Sequence, residues 1–162
     1  MATSRSMPTI EAEDTDWTGG CACGAVRYRL TSVPFDAGWC RCRTCQLNSG
    51  SPAMAFATVP IGDWHYQRGS DLVGIFKSSD FGHRFFCTKC GTPLFMRVDH
   101  QAETLDFSIA TLDEPDSVVP GFHIFYASHI AWAPATDTLP RHDHFRPDTR
   151  GLGAGQAELP GE

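Results

Sequence analysis

Seven cysteines carry most of the chemistry this sequence can offer. They stand at Cys21, Cys23, Cys40, Cys42, Cys45, Cys87 and Cys90, in the local patterns CxC, CxCxxC and CxxC. An odd number cannot complete a disulfide framework. None of the seven stands alone, whereas cysteines used as small apolar side chains scatter through a core. Thiols set this close together are metal donors. The run Cys87-Thr88-Lys89-Cys90-Gly91 reads as a zinc knuckle: two thiolates converge on one ion, and the glycine relieves crowding where amides turn toward sulfur. Cys21 and Cys23 also precede a glycine, Gly24, and follow Gly19 and Gly20. One zinc held by both pairs closes more than sixty residues of chain. That closure restricts the unfolded state, so the metal stabilises the fold. Four thiolates leave no open position, which makes this a structural site. A redox dithiol is the rival reading of the CxxC, but the βαβ pattern expected around a thioredoxin-like motif is missing.

Cys40, Cys42 and Cys45 remain. Three thiolates within six residues reach one side of one ion, and a tetrahedral zinc then keeps a fourth position for water or substrate. A sulfur-rich zinc favours a thiol as that fourth ligand and holds it as a nucleophile, which points to sulfur chemistry rather than hydrolysis. The competing reading is a second structural zinc closed by one of the seven histidines, His65, His83, His100, His123, His129, His142 or His144. Spacing alone leaves both open.

The elements that must position these thiols are strands. Residues 25–30 (AVRYRL) alternate apolar and polar side chains, as a half-buried strand does. Further strand candidates are 54–59, stopped by Pro60, then 72–77, 84–86, 94–98, 104–109 and 123–126. Most of the 15 glycines and 11 prolines fall between these runs. One short helical turn is expected from Cys42 through Cys45 to Asn48. The pattern predicts an all-β domain of short antiparallel strands over 16–149, with its loops tied by metal. A polar leader over 1–15 and a Gly/Ala-rich tail over 150–162 flank it and are expected to be disordered.

Bulk composition narrows the function classes. A chain of 162 residues, 41% hydrophobic and 20% charged, reads as one soluble globular domain. It carries 13 basic against 19 acidic residues, and Lys77 and Lys89 are its only lysines. No basic face for nucleic acid is expected. No secretory signal and no membrane-length apolar run is seen, so no membrane partner is expected and the location is read as cytoplasmic, where thiols stay reduced. The sequence leaves the oligomeric state open.

The segments GGCACGAVRY, WCRCRTCQLNSG, FKSSDFGHRFFCTKCGTPLFMR, SIATLDEP and FHIFYASHIAWAPATDTLPRH resemble the glutathione-dependent formaldehyde-activating enzyme family, whose domain centromere protein V shares. The likeness spans about Trp17 to His144. It implies the all-β fold called the β-tent and two zinc ions per chain. The structural ion would be held by Cys21, Cys23, Cys87 and Cys90, the catalytic one by Cys40, Cys42 and Cys45. The activity it implies is carbon–sulfur lyase chemistry on a thiol–aldehyde adduct, by default the reversible addition of glutathione to formaldehyde giving S-(hydroxymethyl)glutathione. A small thiol such as glutathione is the expected partner. The alternative is a non-catalytic, zinc-stabilised module that binds a small thiol or a protein.

Other residues have candidate roles. His123 is a candidate acid–base group at the open zinc site, or a support for it from behind its ligands, against an ordinary strand histidine satisfied by a backbone carbonyl. Arg41, Arg43, Arg84 and Arg97 are candidates by position to clamp glutathione carboxylates, against solvated surface arginines. Ser78, Ser79 and His83 precede the knuckle and are candidates to line a pocket, while Ser49 and Gly50 are candidates to send amides to the triplet's sulfurs. The aromatic residues Trp39, Phe56, Trp64, Phe85, Phe86, Phe95 and Trp132 read as core. His142, Asp143 and His144 read as surface residues.

Overall fold

The computed structural model describes residues 17–147. The expected leader and tail lie outside the described residues. Two sheets account for most of the regular structure among the described residues, with six 3-10 turns between or after their strands. The smaller has the order β1-β2-β5, with β1 Trp17–Gly20, β2 Arg27–Leu30 and β5 Trp64–Arg68. The larger has seven strands in the order β10-β3-β4-β9-β8-β7-β6. Its members are β3 Phe35–Cys40, β4 Met54–Pro60, β6 Val73–Lys77, β7 Gly82–Cys87, β8 Pro93–Val98, β9 Thr104–Ser108 and β10 His123–Ile124. One α-helix among the described residues, α1 Arg43–Ser49, follows β3. The all-β expectation holds. The strand pairs are antiparallel except β10, which runs parallel to β3.

Register in the large sheet explains why its two faces differ. Ala57, Phe107, Phe95 and Phe85 stand opposite one another across β4, β9, β8 and β7. Their side chains fall on one face because side chains alternate along a strand. This face packs on Tyr28, Leu30 and Trp64 of the small sheet. Tyr28 stacks on Trp64 at 4.0 Å between ring centroids, and Phe85 on Phe95 at 4.3 Å. Burying one such ring is worth roughly 1.5–3 kcal/mol, so this layer is the main core.

One residue along each strand, the in-register row is Thr58, Asp106, Met96 and Arg84. It faces the other way. Phe56 and Met54 continue the row along β4, and Cys40 pairs with Met54 from β3. Here a second apolar cluster forms from Cys40, Cys42, Cys45, Met54, Phe56, Phe122 and Ile124. Four of the seven expected core aromatics lie elsewhere. Trp132 is 74% exposed, Phe56 belongs to this second cluster, and Trp39 and Phe86 are half-buried outside both clusters.

Candidate metal centres

The two cysteine groups separate in space as their spacing suggests. The Sγ atoms of Cys21, Cys23, Cys87 and Cys90 all lie within 4.8 Å of one another, and so do those of Cys40, Cys42 and Cys45. All seven thiols are free. Four sulfurs around one tetrahedral zinc, at about 2.3 Å from it, stand about 3.8 Å apart. The measured Cys21–Cys23 and Cys23–Cys87 Sγ separations are 3.5 and 3.9 Å. Both donor sets are therefore chemically and geometrically fit for a thiophilic ion.

The four-thiol cluster sits where two turns meet. Cys21 follows β1 and Cys87 ends β7, and both are buried members of the main core; Cys23 and Cys90 are exposed. Amides point at sulfur here: Val26 N–H donates to Cys21 Sγ at 3.2 Å. The knuckle turns on Gly91, with φ +76°, whose amide donates to the Cys87 carbonyl. Thr92, through its hydroxyl and its backbone, pulls the Cys90 thiol down to about 5.

The triplet is built by β3 and α1. Cys40 ends β3, where Arg41 N–H donates to the Ile124 carbonyl of β10. Cys42 is the N-cap of α1: its backbone is extended and its Sγ accepts from Cys45 N–H at 3.3 Å. One helical turn then carries Cys45 back to the same side. Gln46 locks the turn, its side-chain amide donating to the carbonyls of Arg41 and Ser128. All three thiols are buried. Hydrogen bonds from Cys40 and Cys42, and then the Arg84 guanidinium, hold Cys45 well below the usual thiol range. The bond shared with Cys42, the Cys45 sulfur and burial push Cys40 well up.

The triplet opens on a pocket. Its walls include Met54, Phe56, Phe81, Phe122, Phe125 and Phe145, and its polar members include Ser78, Ser79, Asp106 and Arg84. Of the four candidate arginines only Arg84 lines it. Arg41 turns behind the triplet, giving its Nε–H to His123 Nδ1 at 3.2 Å and an Nη1–H to the Ala133 carbonyl. Arg43 bonds Gln46, and Arg97 reaches the Ala102 carbonyl. His83 pairs with Asp99 instead. Ser49 and Gly50 cap α1, the hydroxyl donating to the Cys45 carbonyl and the amide to that of Gln46.

His123 is 1% exposed. It stands beside Trp39, whose side chain lies opposite that of Cys40, and Asp137 accepts its Nε2–H at 3.0 Å. Its partners are side chains rather than a backbone carbonyl, and its route to the triplet runs through Arg41. His142 and His144 are tied down: their carbonyls accept from Tyr126 and Phe125, and the His142 amide donates to the His123 carbonyl. Phe122, Phe125 and Phe145 were not singled out as pocket residues by the sequence. Their aromatic character was visible, but their convergence depends on β10 running parallel beside β3.

The fold and site define an all-β protein with one four-thiol and one three-thiol cluster, and comparison with known proteins agrees. The family model of the glutathione-dependent formaldehyde-activating enzymes matches residues 16–128. The chain belongs to that family. An uncharacterized lyase of Schizosaccharomyces pombe is 32% identical over 80 residues, 49% of this chain and 56% of that protein. A Halomonas elongata protein, provisionally named a glutathione-dependent formaldehyde-activating enzyme, is 29% identical over 84 residues, 48% of this chain and 54% of its own. The chain thus spans about half the length of these curated relatives. A solved Rhodobacter sphaeroides protein shares the fold at a TM-score of 0.52 and 24% identity, over 64% of this chain and 91% of that one. No helix among the described residues is long and apolar enough to cross a membrane.

Proposed function

We propose that the protein is a zinc-dependent carbon–sulfur lyase that makes and breaks a thiol–aldehyde adduct, with glutathione and formaldehyde as default substrates. Cys21, Cys23, Cys87 and Cys90 would hold a structural zinc, and Cys40, Cys42 and Cys45 a catalytic one. The observation that carries the reading is the triplet: three buried thiols within 4.8 Å of one another, with no fourth His, Cys, Asp or Glu donor in their group among the described residues, opening on a walled pocket. Membership of the family supports it. Zinc bound there would supply Lewis acidity that keeps a substrate thiol ionised at neutral pH.

The chain's own residues do the rest. The Phe56, Phe122 and Phe125 side chains wall the pocket on which the reacting sulfur would open. The Gln46 side chain and the β10 ladder fix the backbone on either side of Cys42, so the donor set does not reorganise as substrate arrives. His123, held by Asp137, positions Arg41 between two of the cysteines. Attack of the thiolate on the carbonyl carbon forms the C–S bond, and the carbonyl's π pair moves to oxygen. Water protonates that oxygen.

Exchange NMR of glutathione and formaldehyde tests this. Wild type should speed equilibration, and Cys42→Ala should return it to the uncatalysed rate. Equal, uncatalysed rates for both proteins would rule the reaction out.

A further inference from the structure

The pocket beside the triplet contains one buried cation. Arg84 is 5% exposed and lies on the same face of the large sheet as Met96, Asp106 and Thr58. Its Nε–H donates to Ser78 Oγ at 3.2 Å. Its two terminal nitrogens reach Cys45 Sγ at 3.5 and 3.6 Å, and Nη1 also meets Met96 Sδ at 3.0 Å. No ion pair among the described residues includes it. A thioether is a weak acceptor, so the Nη1 contact to Met96 is a poor one and the Cys45 sulfur is the one strong partner of the two terminal nitrogens. A buried guanidinium stays charged and is costly unless strong acceptors meet it.

The space decides how much of a substrate can reach it. About 80 Å³ is open in the pocket. Sites that enclose a whole drug-sized ligand measure roughly 300–1,000 Å³, so this pocket takes the reacting end of a tripeptide rather than all of it. A tripeptide's two carboxylates would lie outside. The candidate role of Arg84 as a clamp for a remote carboxylate is therefore the weaker one. What does enter is an S–C–O unit, whose sulfur belongs with the cysteines. Its oxygen is one carbon away, toward the guanidinium.

Resting on the lyase reading above, we propose that Arg84 is a catalytic residue that holds the carbonyl oxygen of the aldehyde, and the alkoxide it becomes, while the triplet handles the sulfur. When the thiolate attacks carbon, the C–S bond forms, the C=O π bond breaks and the electron pair moves to oxygen. Arg84 donates Nη–H bonds to that oxygen without giving up its proton, and water supplies the proton that completes the hemithioacetal. In reverse, water removes the hydroxyl proton, the C–S bond breaks, and Arg84 again carries the charge on oxygen. Such donors serve best when fixed in place before charge develops, and the β7 strand and the Ser78 bond fix Arg84.

Binding separates this from a role confined to the cysteines. Thioacetate carries sulfur and oxygen on one carbon, and ethanethiol has the sulfur alone. Both are measured by calorimetry on zinc-loaded wild type, R84M and R84K, with zinc content and resistance to a chelator recorded for each. Wild type should prefer thioacetate. R84M should keep its zinc and its ethanethiol affinity while losing about 10- to 100-fold in thioacetate affinity, the scale of a charged hydrogen bond. R84K should recover part of that loss. If R84M does not fold, R84Q carries the same comparison. Equal weakening of both ligands, or loss of zinc from the triplet in these variants, would overturn the proposal. If the thioacetate preference holds while glutathione–formaldehyde exchange is not accelerated by wild type, the oxygen site stands and the reaction assigned above falls.

Discussion

Asp113 shows how much a single side chain does outside the cysteine clusters. Both of its oxygens accept from Arg27, and Thr18 Oγ1 donates to Oδ2 at 2.6 Å. The Arg27 bonds first, and then the Thr18 hydroxyl, hold its carboxyl below the ordinary range. A depressed folded value means stabilisation that is present above the unfolded value of about 3.9 and lost as pH falls through the folded one. The pair joins the small sheet to the segment after β9, because the Asp113 amide also bonds the Thr18 carbonyl. At 42% exposed, the carboxylate is screened by water. Asp113→Asn should therefore be mildly destabilising at neutral pH, and its deficit against wild type should shrink as pH drops below about 4. Urea midpoints of the two proteins across pH 3–7 check this. A deficit that does not change with pH would remove the charge from the account.

At the scale of elements, α1 is the part that sequence periodicity barely announces. It has seven residues, too short to be stable by itself. Its ends are what hold it: the Cys42 sulfur caps the first turn, and Gly50 at φ +63° closes the last with an amide bond to Gln46. A Cβ on Gly50 would meet nothing within 4 Å. Gly50→Ala therefore isolates the backbone cost, about 1 kcal/mol, and Gly50→Asn should recover part of it. Equilibrium unfolding of the two variants measures the difference. The strands were legible to unequal degrees. β2, β4, β7, β8 and β9 lie within two or three residues of their expected runs, because each carries alternating or continuous apolar residues. β1, β3 and β5 were not anticipated. β1 is two residues and a Gly pair; β3 has Asp36 at φ +48° and a bulge before Gly38; β5 buries only Trp64. Such strands are held by their neighbours rather than by their own pattern. The two cysteine pairs and the triplet were legible because each spacing is local, and with the triplet a set by itself the two pairs were left to meet each other across 64 positions. Arg84 stood among four equal arginines, because only the register of β7 against β8 and β9 turns it toward Cys45.

At the scale of the whole molecule, the two clusters differ in what they tie together. Cys23 and Cys87 are 64 positions apart, yet their sulfurs lie 3.9 Å apart. With Cys21 and Cys87 inside the main core, a metal at this cluster would join the small sheet to the large one. The triplet closes only the few residues between the end of β3 and the first turn of α1. By the loop-closure relation, a link across about 65 residues removes about 4 kcal/mol of unfolded-state entropy, and one across about 5 residues roughly 2 kcal/mol. At ~3 °C per kcal/mol for a domain of this size, zinc-loaded Cys87→Ala should melt about 12 °C below wild type and Cys42→Ala about 6 °C. Calorimetry with metal analysis reads both quantities together. Wild type should carry two zinc ions per chain, and each variant one. A wild type with one zinc would leave the triplet unfilled and the proposed chemistry without its ion. Equal melting shifts would mean that the four-thiol cluster does not bridge the sheets, and that the shared core of Tyr28, Trp64, Phe85 and Phe95 holds them without it.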